Sequence, residues 1–113
     1  MNIAIIGGGA AGFFLAINLK QLSPDTTVTI FEKNTKVLAK VLVSGGGRCN
    51  LTNSFAGIDS LHQAYPRGDK LLKRAFRVFS HLDTYKCFED MGIKLVTQED
   101  DCVFPLSQNS NEI

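Results

Sequence analysis

The sequence has no tryptophan, three prolines, two histidines and three cysteines among its 113 residues. Cys49, Cys87 and Cys102 are odd in number, far apart and without a CxxC pair, so neither a disulfide framework nor a structural zinc site is expected. They read as reduced thiols of a cytoplasmic protein, and no residue is assigned to a metal. His62 and His81 have no nucleophile or paired ligand near them in sequence, so no catalytic role is expected for either. Charge is absent from Met1 to Leu19, the pattern of a signal peptide or a membrane span. That run starts without Lys or Arg, and Gly7, Gly8, Gly9 and Gly12 interrupt it, so neither is expected. A net charge of +1 provides no global attraction to nucleic acid or membrane.

What is present is ordinary for one small globular domain: 44% hydrophobic and 20% charged residues. The charge is unevenly placed. Residues 1–80 carry ten Lys/Arg against four Asp/Glu, and residues 81–113 carry two against seven.

Asn2–Ile6 is a short apolar run rich in β-branched residues, the pattern of a buried parallel strand. A glycine-rich turn follows, then a helical stretch from Phe13 to Leu22 that Ser23-Pro24-Asp25 stops. Val28–Glu32 reads as a second strand, which completes a βαβ opening over residues 1–35. Residues 36–66 have little periodicity and hold Gly45-Gly46-Gly47, so they are expected to be mostly loop. Over residues 67–113, a helix is expected from Asp69 to Phe79, with Phe76 and Phe79 in the core. A second helix is expected to open at a Ser80/Asp83 capping box and close at Gly92. The strands Ile93–Thr97 and Cys102–Phe104 are expected to form a separate hairpin ribbon.

Two constellations carry chemistry. The first is Gly7-x-Gly9-x-x-Gly12 between a strand and a helix, with the acid Glu32 at the next strand end, twenty residues beyond Gly12. Gly7 permits the sharp turn, Gly9 lets a pyrophosphate approach the backbone, and Gly12 lets the helix pack close. The N–H groups of Ala10 and Ala11 at the helix N-terminus suit an anion. Glu32 is expected to accept hydrogen bonds from both ribose hydroxyls of an adenosine, which favours FAD or NAD over NADP. The second constellation is Ser44-Gly45-Gly46-Gly47-Arg48-Cys49-Asn50-Leu51-Thr52-Asn53. Its glycines free the backbone to bring N–H groups to a ligand, and Arg48 offers a planar cation. A flexible surface loop explains the same residues equally well.

Together with Glu32-Lys33, Lys40-Val41-Leu42-Val43 and Val103-Phe104-Pro105-Leu106-Ser107, these stretches resemble the HI0933-like (BaiN-type) flavoprotein family over essentially the whole chain. Its members are bacterial FAD-binding oxidoreductases, described variously as dehydrogenases, aminoacetone-oxidase-like enzymes or reductases of unsaturated steroid-type substrates. The resemblance implies an α/β fold: a Rossmann-like FAD-binding βαβ opening, a glycine-rich loop, two helices and a β-hairpin. These would form the N-terminal part of an FAD/NAD(P)-binding domain. It implies cofactor contact by Gly7, Gly9, Ala10, Ala11, Gly12, Glu32, Lys33, Lys40, Ser44, Gly45, Gly46, Gly47, Arg48 and Asn50. Leu38-Ala39 departs from the Gly and basic residue of many members, so no phosphate contact is carried to those two positions. The substrate is expected to be a small molecule, with NAD(P)H as electron donor in a reductase or oxygen as acceptor in an oxidase. As a partial domain, the chain is expected to hold little FAD and to self-associate along an apolar edge of Ile3, Ile5 and Ile6.

Two other readings stay open on the residues alone. One is a Rossmann enzyme that binds NAD without flavin. The other is a non-catalytic nucleotide- or nucleic-acid-binding module using the basic residues Lys70, Lys73, Arg74 and Arg77. No nucleic acid is expected as partner, because no aromatic residues are evident interleaved with that face. Cys49 is expected to be a small packing residue rather than a redox centre.

Overall fold

The computed structural model describes residues 1–113. Strand β1 (Asn2–Ile6) pairs in parallel with β2 (Thr27–Phe31), in register from Asn2 opposite Thr27 to Ile6 opposite Phe31. Helix α1 (Ala10–Leu22) makes the crossover between them. The Gly7 N–H donates to the Phe31 carbonyl at 2.8 Å, so the ladder continues one residue into the turn. Ile5, with only 6% of its surface exposed, points under α1, while Ile6 is 83% exposed and Ile3 half-buried. The expected apolar edge is therefore reduced: Ile5 is taken up by the helix that Gly12 lets in close.

The second body is an antiparallel sheet in the order β3-β5-β4, formed by β3 (Thr52–Asn53), β5 (Cys102–Pro105) and β4 (Leu95–Thr97). The expected hairpin exists, with Thr97 opposite Val103, but it is not a separate ribbon. Thr52 and Asn53 pair with Val103 and Cys102 on its other edge. The best-buried residues of the chain are here. Val103, Phe104 and Pro105 are buried along β5, and Cys49, which follows Arg48 in sequence, is buried as well.

Residues 36–66, expected to be mostly loop, contain α2 (Ala39–Gly47), β3 and a short α3 (Leu61–Ala64). Helical geometry in α2 breaks at Ser44, Gly45 and Gly46, so the glycines end the helix rather than form a free loop. Distant residues hold this stretch. Ser110 Oγ in the C-terminal 3-10 turn donates to the Leu42 carbonyl at 2.9 Å, and Asp101 accepts from Ser54 Oγ at 2.7 Å and from the Gly57 N–H at 3.1 Å.

Helix α4 (Asp69–Ala75) stops before the expected Phe79. Phe76–Phe79 continue as tight turns, with the Phe76 and Phe79 N–H groups donating to the Leu72 and Ala75 carbonyls, and Phe79 is 40% exposed and Phe76 half-buried rather than core. Helix α5 (His81–Asp90) is capped at both ends, as its sequence implies. Ser80 Oγ accepts from the Asp83 N–H, Asp83 accepts from the Ser80 N–H at 2.7 Å, and Gly92 at φ +90° turns the chain out. Replacing Ser80 with Ala removes one half of that box. Chemical denaturation should show a loss of about 1 kcal/mol.

The two bodies meet narrowly. Phe14 of α1 packs edge-on against Phe79 with ring centroids 5.5 Å apart. The Leu38 N–H, just before α2, donates to the Gly8 carbonyl at 2.7 Å. The radius of gyration is 15.4 Å, against about 13 Å for a compact domain of this length. No helix is long and apolar enough to cross a membrane.

Candidate dinucleotide site

The three fingerprint glycines have three different surroundings. Gly7 sits at φ +106°, a conformation that favours glycine. A Cβ on Gly12 would fall on the Gly7 carbonyl oxygen and touch Ile5, so α1 could not approach β1 with any larger residue there. Gly9 differs from both. Its backbone is extended, at φ −93°, and a Cβ there would meet nothing within 4 Å. The protein itself does not need glycine at this position. The space in front of its backbone is open.

Glu32 lies just past the end of β2, at this same turn. Its Oε2 accepts the Gly8 N–H at 2.8 Å, and its Oε1 accepts the N–H and side-chain amide of Asn34 at 2.8 and 2.9 Å. These N–H donors, Asn34 first and then Gly8, hold the Glu32 carboxyl below its ordinary range. A carboxylate has about four acceptor positions. With three taken, one remains open on Oε2. Glu32 braces the turn. Asn34, which sets the carboxylate's orientation, was not singled out in the sequence, where it is one more polar residue after a strand.

The first turn of α2 abuts this site through Leu38, whose backbone is left-handed at φ +53°. Lys33 and Lys40 are exposed on this side of the chain. From Leu38 to Ser44 the helix advances by about 9 Å. It carries the chain from the fingerprint to Gly45-Gly46-Gly47, so the two constellations lie at opposite ends of one short helix. At the far end Arg48 faces inward. Its Nε donates to the Gly45 carbonyl at 2.8 Å, and its guanidinium lies 4.2 Å from the centre of the Phe104 ring. Arg48 thus clamps the glycine turn to β5. Asn50 is exposed, and Gly46 has open space where a Cβ would stand.

Cys49 is buried, and burial raises its thiol pKa. It behaves as a packing residue. Iodoacetamide should modify the half-buried Cys87 and Cys102 first and Cys49 only on unfolding, which peptide mapping of a labelling time course would check.

A cavity of about 390 Å³ lies beyond the glycine turn, walled by Phe55, Tyr65, Phe76, Phe79 and His81. Asn50, Thr52, Asn53, Ser80 and Thr84 contribute its polar lining. Phe55 is its centre: the His81 ring stands edge-on at 4.9 Å, Tyr65 at 6.1 Å and Phe76 at 6.2 Å. The Nδ1 of His81 is buried and has no hydrogen-bond partner. Sequence reasoning missed this site because its walls come from separate stretches, β3 and the loop after it, α3, and the α4–α5 junction.

A parallel strand–glycine turn–helix–strand unit with an acid at its turn defines a Rossmann-type dinucleotide-binding domain. The family model of the HI0933-like protein Rossmann domain matches residues 1–113, and the chain belongs to that family. It is 33% identical over 92 residues, 81% of its length, to the 3-dehydro-bile acid delta(4,6)-reductase of Clostridium scindens. It is 51% identical over 49 residues, 43% of its length, to the ribosomal RNA dihydrouridine synthase of Haemophilus influenzae. It is 43% identical over 51 residues, 45% of its length, to the protein of the same name from Escherichia coli. The matched stretch spans 22% of the bile acid reductase and 12% of each synthase. These relationships place the chain in an oxidoreductase family.

Proposed function

We propose that the chain holds the ADP half of FAD, and that the whole protein is a reductase adding hydrogen across a ring C=C bond conjugated to a carbonyl. The open backbone at Gly9, beside a carboxylate anchored on the Gly8 N–H, carries the cofactor reading. A helix N-terminus at one end and an acid at the other fit the pyrophosphate and ribose of a dinucleotide. In that fit the N–H groups of Ala10 and Ala11 take the pyrophosphate and Glu32 Oε2 takes one ribose hydroxyl. Lys33 and Lys40 add positive charge to the phosphate side. Gly45, Gly46, Gly47 and Asn50 face the flavin end, with Ser44 and Arg48 fixing the turn that presents them. When bound, FAD supplies hydride chemistry that no side chain here can perform.

The substrate class is supported by the relatives. One is named for reducing the delta(4,6) bonds of a 3-dehydro-bile acid, and the others for making dihydrouridine in ribosomal RNA. Both names describe saturation of a ring double bond that a carbonyl activates. With NAD(P)H as donor the reaction balances: NAD(P)H, a proton and the unsaturated ring give NAD(P)⁺ and the saturated ring. Denaturing the purified whole protein should release FAD, identified by mass. Release of NAD alone, or of no nucleotide, overturns the flavin reading.

Glu32→Ala should weaken FAD binding about ten- to a hundredfold, since it removes a charged acceptor and loosens Gly8. Titration of apoprotein with FAD measures this directly. The acid side has a defined direction. The carboxyl is held below its ordinary value of 4.5, so its contribution is complete above that value and is lost as the pH falls through the lowered one. Thermal melts of the wild type should therefore fall with pH in that acid window more steeply than those of Glu32→Gln.

A further inference from the structure

We propose that the aromatic cavity and the basic segment beside it form a second dinucleotide site, for NADPH. The reduced nicotinamide sits in the cavity and the phosphates on the cations of residues 67–77. The site rests on the reductase reading only in taking NADPH as that reaction's electron donor. No Lys, Arg, Asp or Glu lines the cavity, so a carboxylate or phosphate inside it would have no countercharge. A reduced nicotinamide is a flat neutral ring carrying one carboxamide. Phe55, Tyr65, Phe76 and Phe79 give it apolar surroundings, and Asn50, Thr52, Asn53 and Thr84 offer amide and hydroxyl partners for the carboxamide. The buried His81 Nδ1, which has no hydrogen-bond partner, is one group a carboxamide would satisfy. A volume of about 390 Å³ is that of a small-molecule site.

The segment that forms one wall carries the charge that such a ring needs for its phosphates. Arg67, Lys70, Lys73, Arg74 and Arg77 are all exposed. None has a carboxylate partner: the ion pairs of the chain are His62–Asp69 and Lys86–Asp90. Arg77 stands in the chain between Phe76 and Phe79, and Arg74 two residues before Phe76, so cations flank the aromatic wall. The 2′-phosphate of NADPH adds about 1.5–2 negative charges to those of the pyrophosphate, and guanidinium groups suit phosphate oxygens. NADH lacks that group. The fingerprint does not serve this ligand, because an acid beside the adenosine ribose disfavours a 2′-phosphate. Charge thus sorts two dinucleotides on one chain, with FAD at Glu32 and NADPH at the basic segment. The flavin ring is the other flat ring at hand, but the phosphates of FAD belong at the fingerprint and would leave the five cations unused.

The test is isothermal titration of the whole protein, its FAD content measured after denaturation. The ligands are 1,4,5,6-tetrahydro-NADPH, the matching NADH analogue, and 2′-phospho-ADP-ribose, which has no nicotinamide. The tetrahydro ring is neutral and keeps the carboxamide but gives up no hydride, so binding is read without turnover. Wild type should bind the NADPH analogue at least about tenfold more tightly than the NADH analogue. It should also bind it about tenfold more tightly than 2′-phospho-ADP-ribose. Arg74→Gln/Arg77→Gln should bring the two analogues within about threefold of each other. Phe55→Leu should weaken the NADPH analogue and leave 2′-phospho-ADP-ribose unchanged, with circular dichroism reporting its fold. Equal affinity for the two analogues overturns the proposal, as does a preference that survives in the double arginine variant. Binding of 2′-phospho-ADP-ribose as tight as that of the NADPH analogue removes the cavity from the site and overturns it too. A protein that purifies without FAD yet shows the expected pattern sinks the flavin reading and leaves this proposal standing. One that carries FAD but does not discriminate between the analogues does the reverse.

Discussion

Gly9→Val is expected to leave the fold standing and to empty the protein of its flavin. The wild-type backbone at Gly9 is extended, with ψ −173° as well as a negative φ, a geometry that valine adopts readily. No atom of the chain lies within 4 Å of where its Cβ would be. The folding cost is therefore confined to a poorer helix N-cap, about 1 kcal/mol. The branched side chain would instead occupy the space against the N–H groups of Ala10 and Ala11, where a pyrophosphate has to sit. A loss of FAD affinity of at least about a hundredfold is expected, with a nearly unchanged melting temperature in the absence of cofactor. Gly12→Val makes the contrast. It collides with the Gly7 backbone and should fail to fold, so it loses flavin for a different reason. A Gly9→Val protein that purifies yellow with full FAD content would remove the fingerprint from the cofactor site.

How much of this was legible depends on how local the cause is. The βαβ opening could be read because its signals sit within a few residues of the elements they specify. β-Branched residues mark β1, the glycine spacing marks the turn, and Ser23-Pro24 ends α1. Helix α1 nonetheless begins at Ala10 rather than Phe13, since the glycine turn ends in the helix cap itself. The Ser80/Asp83 box and Gly92 were equally legible, and both ends of α5 fall where they predict. Helix α2 was not. It has β-branched Val41 and Val43, no capping side chain, and three glycines at its end. What holds it is Gly8 before it and Ser110 far beyond it, and neither contact has a signature in the local pattern. Strand β3 is two residues long and exists because β5 offers it an edge. The expected core role of Phe76 and Phe79 assumed that helical periodicity continued past Ala75. Once the helix ends there, the same residues line a cavity.

The glycine turn after α2 separates structural need from ligand need within two neighbouring residues, and the second large effect is expected there. Gly45 and Gly46 both have left-handed backbones, at φ +57° and +70°. A side chain at either position costs about 1–2 kcal/mol for that conformation alone. At Gly45 the added Cβ would stand 2.6 Å from the Phe104 ring and 2.9 Å from the Asn50 backbone nitrogen. Phe104 is buried in the best-packed strand, with Arg48 lying over its ring. It cannot move aside without undoing the clamp that holds the turn. Overpacking adds about 1–3 kcal/mol, so Gly45→Ala should lose about 2–5 kcal/mol, a large share of the roughly 5–15 kcal/mol that stabilises a domain. At Gly46 the Cβ would meet nothing within 4 Å, so Gly46→Ala should lose only the conformational cost. If the turn lies against the flavin, Gly46→Ala should weaken FAD binding or shift the flavin potential by more than its small loss of stability accounts for. Urea denaturation of the two variants, paired with FAD titration, gives both numbers. Equal stability losses would contradict the packing against Phe104, and unchanged FAD binding and potential in Gly46→Ala would detach the triple-glycine turn from the cofactor.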